Sequence, residues 1–224
     1  MFGFWFFDRG LSFSNVTARL IASVVAVIWF LPFHEIAHMW TACLFSEKKF
    51  NFKEFSLFDF FDPFGAVCMV LFGYGWAKRY QYYITEPKSR REKVIIYAAG
   101  PLFNFFSAIV LGLLFNILAI LDNFFVSGLF WFLKFMNYLI SINVTLTVFN
   151  LIPVPQLDGF KIIETFIPKK FLSRYYQNYV PISIMLAILL LFGFFNAPLR
   201  ILENAVYTCV KVLSGIPFLF LEPF

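Results

Sequence analysis

The sequence predicts an all-α membrane protein, a bundle of about four to six transmembrane helices forming one domain over residues 1–224. Of its residues 61% are hydrophobic and only 14% charged, whereas an ordinary soluble domain has roughly 45–50% apolar and about 25% charged residues. The charged residues lie between long apolar runs and form no patch on a polar domain, so the net charge of +5 does not indicate nucleic-acid binding. The three cysteines lack the CxxC spacing of a metal site.

Long charge-free stretches predict the membrane spans. A span needs about 20 apolar residues, because each residue of a helix rises about 1.5 Å through an apolar layer of about 30 Å. The first stretch carries only two histidines and one glutamate as ionisable groups, and the next three carry none. A fifth is interrupted by three charged residues and could cross obliquely or lie in the interface. The C-terminal helices are expected over 175–221. The five stretches are 19–47, 94–121, 135–157, 175–199 and 198–221.

Two further segments and the basic residues predict the topology. Residues 64–76 are apolar but too short to cross, which favours a re-entrant segment, and residues 54–64 favour a small membrane-associated strand or a loop. Nine of the 18 basic residues lie in 48–93 and four in 161–174, so both regions are expected on the cytoplasmic side. We therefore expect a multi-pass protein of a prokaryotic cytoplasmic membrane.

The first predicted span contains an HExxH pattern, His34-Glu35-Ile-Ala-His38. Histidines four positions apart lie on one face of a helix and can bind one zinc ion together, with the glutamate placed to act as general base. The chain has no other histidine, and ionisable groups inside a membrane are costly and usually functional. The alternative is a polar contact between helices. Pro32 removes one backbone donor and is expected to disturb the helix beside the site.

Two histidines leave a tetrahedral zinc ion without its third protein ligand. Asp158 is the best candidate, because it ends the third charge-free stretch at a point where two prolines break the helix. The topology supports this choice. The first and third spans both run toward the cytoplasmic side, which brings Asp158 to the same membrane depth as the histidines. Asp59 and Asp62 are competing ligands at the same level. Asp158 could instead cap the next helix.

Three sequence blocks, taken together and in order, resemble the site-2 protease family of intramembrane zinc metalloproteases. They are HEIAH at 34–38, AGPLFN at 99–104 and NLIPVPQLDG at 150–159. Residues 61–65 and 75–78 are similar to the compact bacterial branch of that family, which has no PDZ or other soluble domains. The likeness covers the core motifs at 34–159. Phe160 and Arg79 depart from the usual pattern without touching the expected ligands.

The resemblance implies hydrolysis of peptide bonds within or beside transmembrane segments of membrane protein substrates. It implies Zn²⁺ as cofactor, bound by His34, His38 and Asp158, and Glu35 as the catalytic base. Asn150 and Asn104 are implied as groups that bind substrate backbone or an oxyanion, the alternative being hydrogen bonds between helices. Two other functions stay open, a catalytically silent membrane scaffold of the same fold and a metal or proton transporter. The expected partners are a transmembrane protein substrate and the lipid bilayer, with no nucleic acid.

Overall fold

The regular structure of the protein is helical throughout the part that the computed structural model describes. No strand occurs among those residues, so the expected all-α class is confirmed. Among the described residues, three helical segments are long and apolar enough to cross a membrane, as judged by length and composition. Their bounds are Phe13–Leu44, Arg90–Asp122 and Phe130–Leu151. The described residues are 12–47, 49–78, 89–124, 128–154, 157–178, 181–182, 185 and 196–215.

The first long segment is one continuous rod with an irregular turn in its middle. Helix α1 (Phe13–Val25) passes through a π-helical turn (Ala26–Phe30) into α2 (Leu31–Leu44). The Leu31 N–H donates to the Ala26 carbonyl five residues back, and Pro32 offers no N–H at the next position. The disturbance expected at the proline thus takes the form of a π-turn, a feature that is frequent at functional sites.

Residues 49–78 form a loop and a short helix rather than a strand. Two 3-10 turns (Phe52–Glu54 and Leu57–Phe60) precede α3 (Pro63–Phe72), after which the chain doubles back. The Lys78 N–H donates to the Phe60 carbonyl over 2.8 Å, so the residues before and after α3 meet. Such a meeting of ends is what a re-entrant segment requires, and re-entry at 64–76 stays a prediction.

Two long helices follow, α4 (Arg90–Phe124) and α5 (Phe130–Leu151). In α5 67% of the apolar window is buried inside the protein, against 28% for the second span and 39% for the first, so α5 is the central helix. It packs against α1, α4 and the C-terminal helix α8 (Asn196–Ser214). Polar pairs accompany this packing, such as Thr145 donating to Glu203 of α8 over 2.9 Å.

Helix α5 ends six residues before the charge-free stretch does. Its cap, Ile152, has an extended backbone (ψ 137°), the conformation that a following proline imposes, and the next residue is Pro153. The short helices α6 (Asp158–Glu164) and α7 (Lys169–Gln177) come next. The expected fourth span, 175–199, lies mostly outside the described residues. The expected fifth, 198–221, corresponds largely to α8, which is not among the three long apolar segments.

The start of α6 is pressed against the end of α5 at Gly159. A Cβ atom at this glycine would collide with the carbonyl group of Leu151 and lie 2.7 Å from the Ile152 oxygen. These neighbours are backbone atoms, which cannot turn aside as a flexible side chain can. The absence of a side chain at Gly159 therefore allows α6 to begin where it does. Gly159 thus serves a close approach of two backbones.

We predict that Gly159→Ala lowers the free energy of unfolding by about 1–3 kcal/mol, the usual cost of inserting a methyl group into a filled space. Thermal unfolding of the purified protein in one detergent measures the effect. Ile163→Ala, a change on the exposed side of the same helix, serves as control and should cost less. Equal stability of Gly159→Ala and the parent protein would contradict the proposed close contact.

Candidate metal centre

His34 and His38 lie one turn apart on α2 and turn their Nε2 atoms toward each other. The two Nε2 atoms are 3.2 Å apart, and both side chains are buried. Two imidazole nitrogens held this close inside an apolar bundle need a common partner, because buried polar groups are costly when unpaired.

Asp158 supplies that partner from the first residue of α6. Its Oδ2 atom lies 3.0 Å from Nε2 of His34 and 3.1 Å from Nε2 of His38. Burial alone would raise the pKa of the Asp158 carboxyl, but the charges and hydrogen bonds of His38 and His34 outweigh burial and hold this pKa well below its ordinary value. Asp158 is therefore a carboxylate at neutral pH.

The three atoms suit a tetrahedral zinc ion. They form a triangle with edges of 3.0, 3.1 and 3.2 Å. Zinc bonds of about 2.0–2.1 Å at tetrahedral angles place ligand atoms about 3.3 Å apart, so the triangle is close to one face of such a coordination shell. Two imidazoles and one carboxylate are also ligands that catalytic zinc uses. The donor set present here thus fits the ion that the sequence predicts.

Gly100 of α4 borders the same space. A Cβ atom at this position would lie 2.5 Å from Nε2 of His34 and 2.6 Å from its Cε1, and would also collide with Nε2 of His38. Any side chain at residue 100 would fill the space beside the two histidine nitrogens. The glycine therefore brings α4 against the histidines while leaving the centre open.

Two further groups of α4 contact the histidine rings on their other side. The Nδ1 atom of His38 donates to the Ile96 carbonyl over 2.7 Å, and the Nδ1 atom of His34 lies 2.8 Å from the amide of Asn104. Positions 96, 100 and 104 are four residues apart and share one face of the helix. This face of α4 therefore contacts the Nδ1 atoms of both imidazoles, on the side away from the Nε2 atoms.

Glu35 lies beside the histidines and is half-buried. Ligand atoms of His34, Glu35 and His38 all lie within 4.8 Å of one another. The glutamate thus occupies the position that the HExxH pattern predicts for it, next to the two nitrogens and open on one side.

Helix α6 is tied down at its far end as well. Glu164 accepts from Lys93 of α4 over 3.3 Å and lies 3.5 Å from the Lys161 ammonium group. Burial alone would raise the pKa of Glu164, but Lys161, the Tyr176 hydroxyl and Lys93 together lower it. Asp158 therefore sits on a short helix that is fixed at both ends, by Gly159 and by Glu164.

The two competing aspartates serve as helix caps. Asp62 accepts from the Gly65 N–H over 2.7 Å at the start of α3, and Asp59 accepts from the Ser56 N–H over 2.7 Å. In the structure it is Asp158, and neither of the two caps, that contacts the histidines. Asp158 does more than cap α6, because its carboxylate contacts both His34 and His38.

The two asparagines differ in position. Asn104 reaches the centre, whereas Asn150, in the last turn of α5, donates to the Leu146 carbonyl of its own helix over 2.9 Å. Sequence reasoning did not single out Gly100 or the Ile96 carbonyl. The signal for Gly100 was available, because it stands four residues before Asn104 in the quoted AGPLFN block. A backbone carbonyl leaves no such signal.

The comparisons with known proteins agree with this centre. The sequence model of Peptidase family M50 matches residues 22–124 and 116–192, about three quarters of the chain. The chain is 30% identical over 155 residues to "Putative zinc metalloprotease YwhC" of Bacillus subtilis (strain 168), an alignment that covers 65% of this chain and 68% of that relative. No solved structure is a significant match.

The family match includes the HExxH helix, and the three long apolar helices agree with a membrane protein. The resemblance noted in the sequence is thereby confirmed at the level of the family, which implies a zinc-dependent peptidase. The chain belongs to peptidase family M50, the site-2 protease family.

Proposed function

We propose that this protein is an intramembrane zinc metalloprotease that hydrolyses peptide bonds within or beside transmembrane segments of membrane proteins. One observation carries the proposal. Two histidine nitrogens and one carboxylate oxygen converge within 3.2 Å of one another, beside a glutamate, and the histidines stand on a helix that is long and apolar enough to cross a membrane. A silent scaffold would have no need of this complete set.

His34, His38 and Asp158 would hold the ion. Bound there, zinc supplies Lewis-acid polarisation of the scissile carbonyl and makes a water molecule more acidic. The protein's own contribution is to keep the three donors in place, through α4 behind the histidines and through the two ends of α6. The apolar bundle around them keeps bulk water away from the buried side of the centre.

Glu35 is the proposed general base. Its carboxylate would accept a proton from the attacking water and later deliver it to the nitrogen of the leaving amine. Its placement supports this role, because it lies within 4.8 Å of the histidine ligand atoms and is more exposed than either ring. A base with one open side can meet substrate and water while the ligands behind it stay buried.

Asn150 is proposed to bind the substrate backbone or the developing oxyanion. A carboxamide has two N–H donors, and only one of them is needed for the bond to Leu146. The residue stands in the last turn of α5, next to the place where Gly159 brings α6 against Leu151. Its second donor is therefore carried on the helix end that also positions Asp158.

The proposed substrate is a transmembrane segment, and the centre is proposed to face the cytoplasmic side of the membrane. A substrate helix has its backbone groups paired internally, so it must unwind locally before a peptide bond can be cut. We propose that the unwound substrate strand binds beside α3, where the chain turns back on itself. Backbone groups outside a regular helix can pair there with an extended peptide.

We predict that Glu35→Gln retains about one zinc per chain, since the three ligands are unchanged, but cleaves a model transmembrane substrate at least about 100-fold more slowly, as expected for loss of a general base. Zinc is measured by mass spectrometry of the purified protein and cleavage by gel assay in proteoliposomes. Full activity of Glu35→Gln would refute the proposed mechanism.

We predict further that Asp158→Ala loses most of its zinc during purification, because two histidines alone hold the ion weakly. Asp62→Ala is the matched control. Asp62 also stands at the start of a short helix, where it caps α3, and its replacement should leave the zinc content unchanged. If both variants kept the ion equally well, Asp158 would not be a ligand, and if Asp62→Ala lost it selectively, the competing assignment would be right.

A further inference from the structure

We propose that Asn104 is a positioning residue whose carboxamide oxygen accepts a hydrogen bond from the Nδ1–H of His34 and thereby aims Nε2 at the metal position. The inference rests on the proposed function, since it concerns how the ligand set is held. It assigns Asn104 a different role from the substrate or oxyanion contact that the family resemblance suggests.

The state of the His34 ring follows from what faces its two nitrogens. Nε2 is directed at the point shared with Asp158 and His38, so it must offer a lone pair there when a metal ion is bound. A neutral imidazole then carries its proton on Nδ1. His38 obeys the same rule, because its Nδ1 faces the Ile96 carbonyl, which can only accept.

The carboxamide of Asn104 has its nitrogen beside Nδ1 of His34, although a proton on Nδ1 calls for an acceptor there. The residue is 0% exposed, and its Nδ2 atom lies 2.8 Å from Nδ1 of His34. Its Oδ1 atom is buried without a hydrogen-bond partner. An N–H group facing a second N–H group makes no hydrogen bond. The oxygen and nitrogen of a carboxamide are assigned from the bonds they make, and a half-turn exchanges them.

After this half-turn the oxygen accepts from His34 and is no longer orphaned. We expect the amide nitrogen then to donate to its own helix, as do those of Asn143 and Asn150, which each donate to the carbonyl four residues back over 2.9 Å. For Asn104 that carbonyl belongs to Gly100. One face of α4 would thus orient both imidazoles, His38 through Ile96 and His34 through Asn104.

Two substitutions test the direction of the bond. Asn104→Leu removes it at similar size, and we expect zinc affinity to fall by about 10- to 100-fold, the usual effect of losing the partner of a metal-bound histidine. Asn104→Asp keeps an acceptor but loses the amide donor, and we expect it to retain zinc at least as well as the parent. Chelator competition measures the affinity, and the absorption bands of the cobalt-substituted protein report ligand geometry independently of activity.

Asn143→Leu is the matched control, because Asn143 is equally buried, also has an oxygen without a partner, and stands on α5 with its amide bonded to Leu139. It should leave zinc affinity and the cobalt spectrum unchanged. Parent-like affinity and spectrum in Asn104→Leu would overturn the inference. So would a loss in Asn104→Asp as large as that in Asn104→Leu, since that would make the amide nitrogen the functional group.

These outcomes are separable from those that test the function. If the parent protein binds no zinc, the proposed function fails. If it binds zinc and cleaves substrate while Asn104→Leu binds zinc equally well, only the role of Asn104 fails. Thermal unfolding of each variant shows whether the fold is kept, and the aspartate variant keeps the proposal testable if the leucine variant does not fold.

Discussion

The convergence of three donor atoms on one point is the constraint on which the rest of the structure depends. Two imidazoles and a carboxylate are costly in an apolar bundle unless they meet each other or an ion. Here they meet, within 3.0–3.2 Å, from two helices that are far apart in the chain. The packing of the long helices can be understood as the means of bringing α2 and α6 to the same place and holding them there.

Helix α4 does much of this holding. Its 35 residues extend about 52 Å at 1.5 Å each, well beyond an apolar layer of about 30 Å. One section of the helix presents Ile96, Gly100 and Asn104 to the histidines, while Lys93, one turn earlier, binds Glu164 at the end of α6. The same helix therefore contacts both the histidine pair and the helix that carries Asp158.

Much of the fold and of the site could be predicted from the residues alone. The length of the apolar runs predicted the long helices, because the bilayer dictates how many residues a span needs, and the spacing of His34 and His38 predicted a shared face of a helix. Asp158 could be chosen over Asp59 and Asp62 because it follows a broken helix at the right level. All three predictions use local patterns combined with one external dimension, the thickness of the membrane.

What could not be predicted depends on contacts between distant residues. The π-turn before Pro32 could not be distinguished in advance from a kink, because a proline in a helix is compatible with either. The end of α5 at Leu151 is a local exception, because Pro153 acts on the residue before it and the sequence already shows this proline. The carbonyl of Ile96 is invisible in the sequence, since every residue has one. Gly100 was visible only as part of a block, and its reason lies in ring atoms more than 60 positions away.

The separation of the ligands along the chain also has a consequence in time. Asp158 follows His34 by 124 positions. At synthesis rates of about 5–20 residues per second, the histidines are made about 6–25 s before the carboxylate exists. During that interval α2 carries two imidazoles and a glutamate without the third donor, and α4, made earlier than α6, is already available to cover them through Ile96 and Asn104. The set of three donors can therefore be complete only once α6 has been synthesised and has docked.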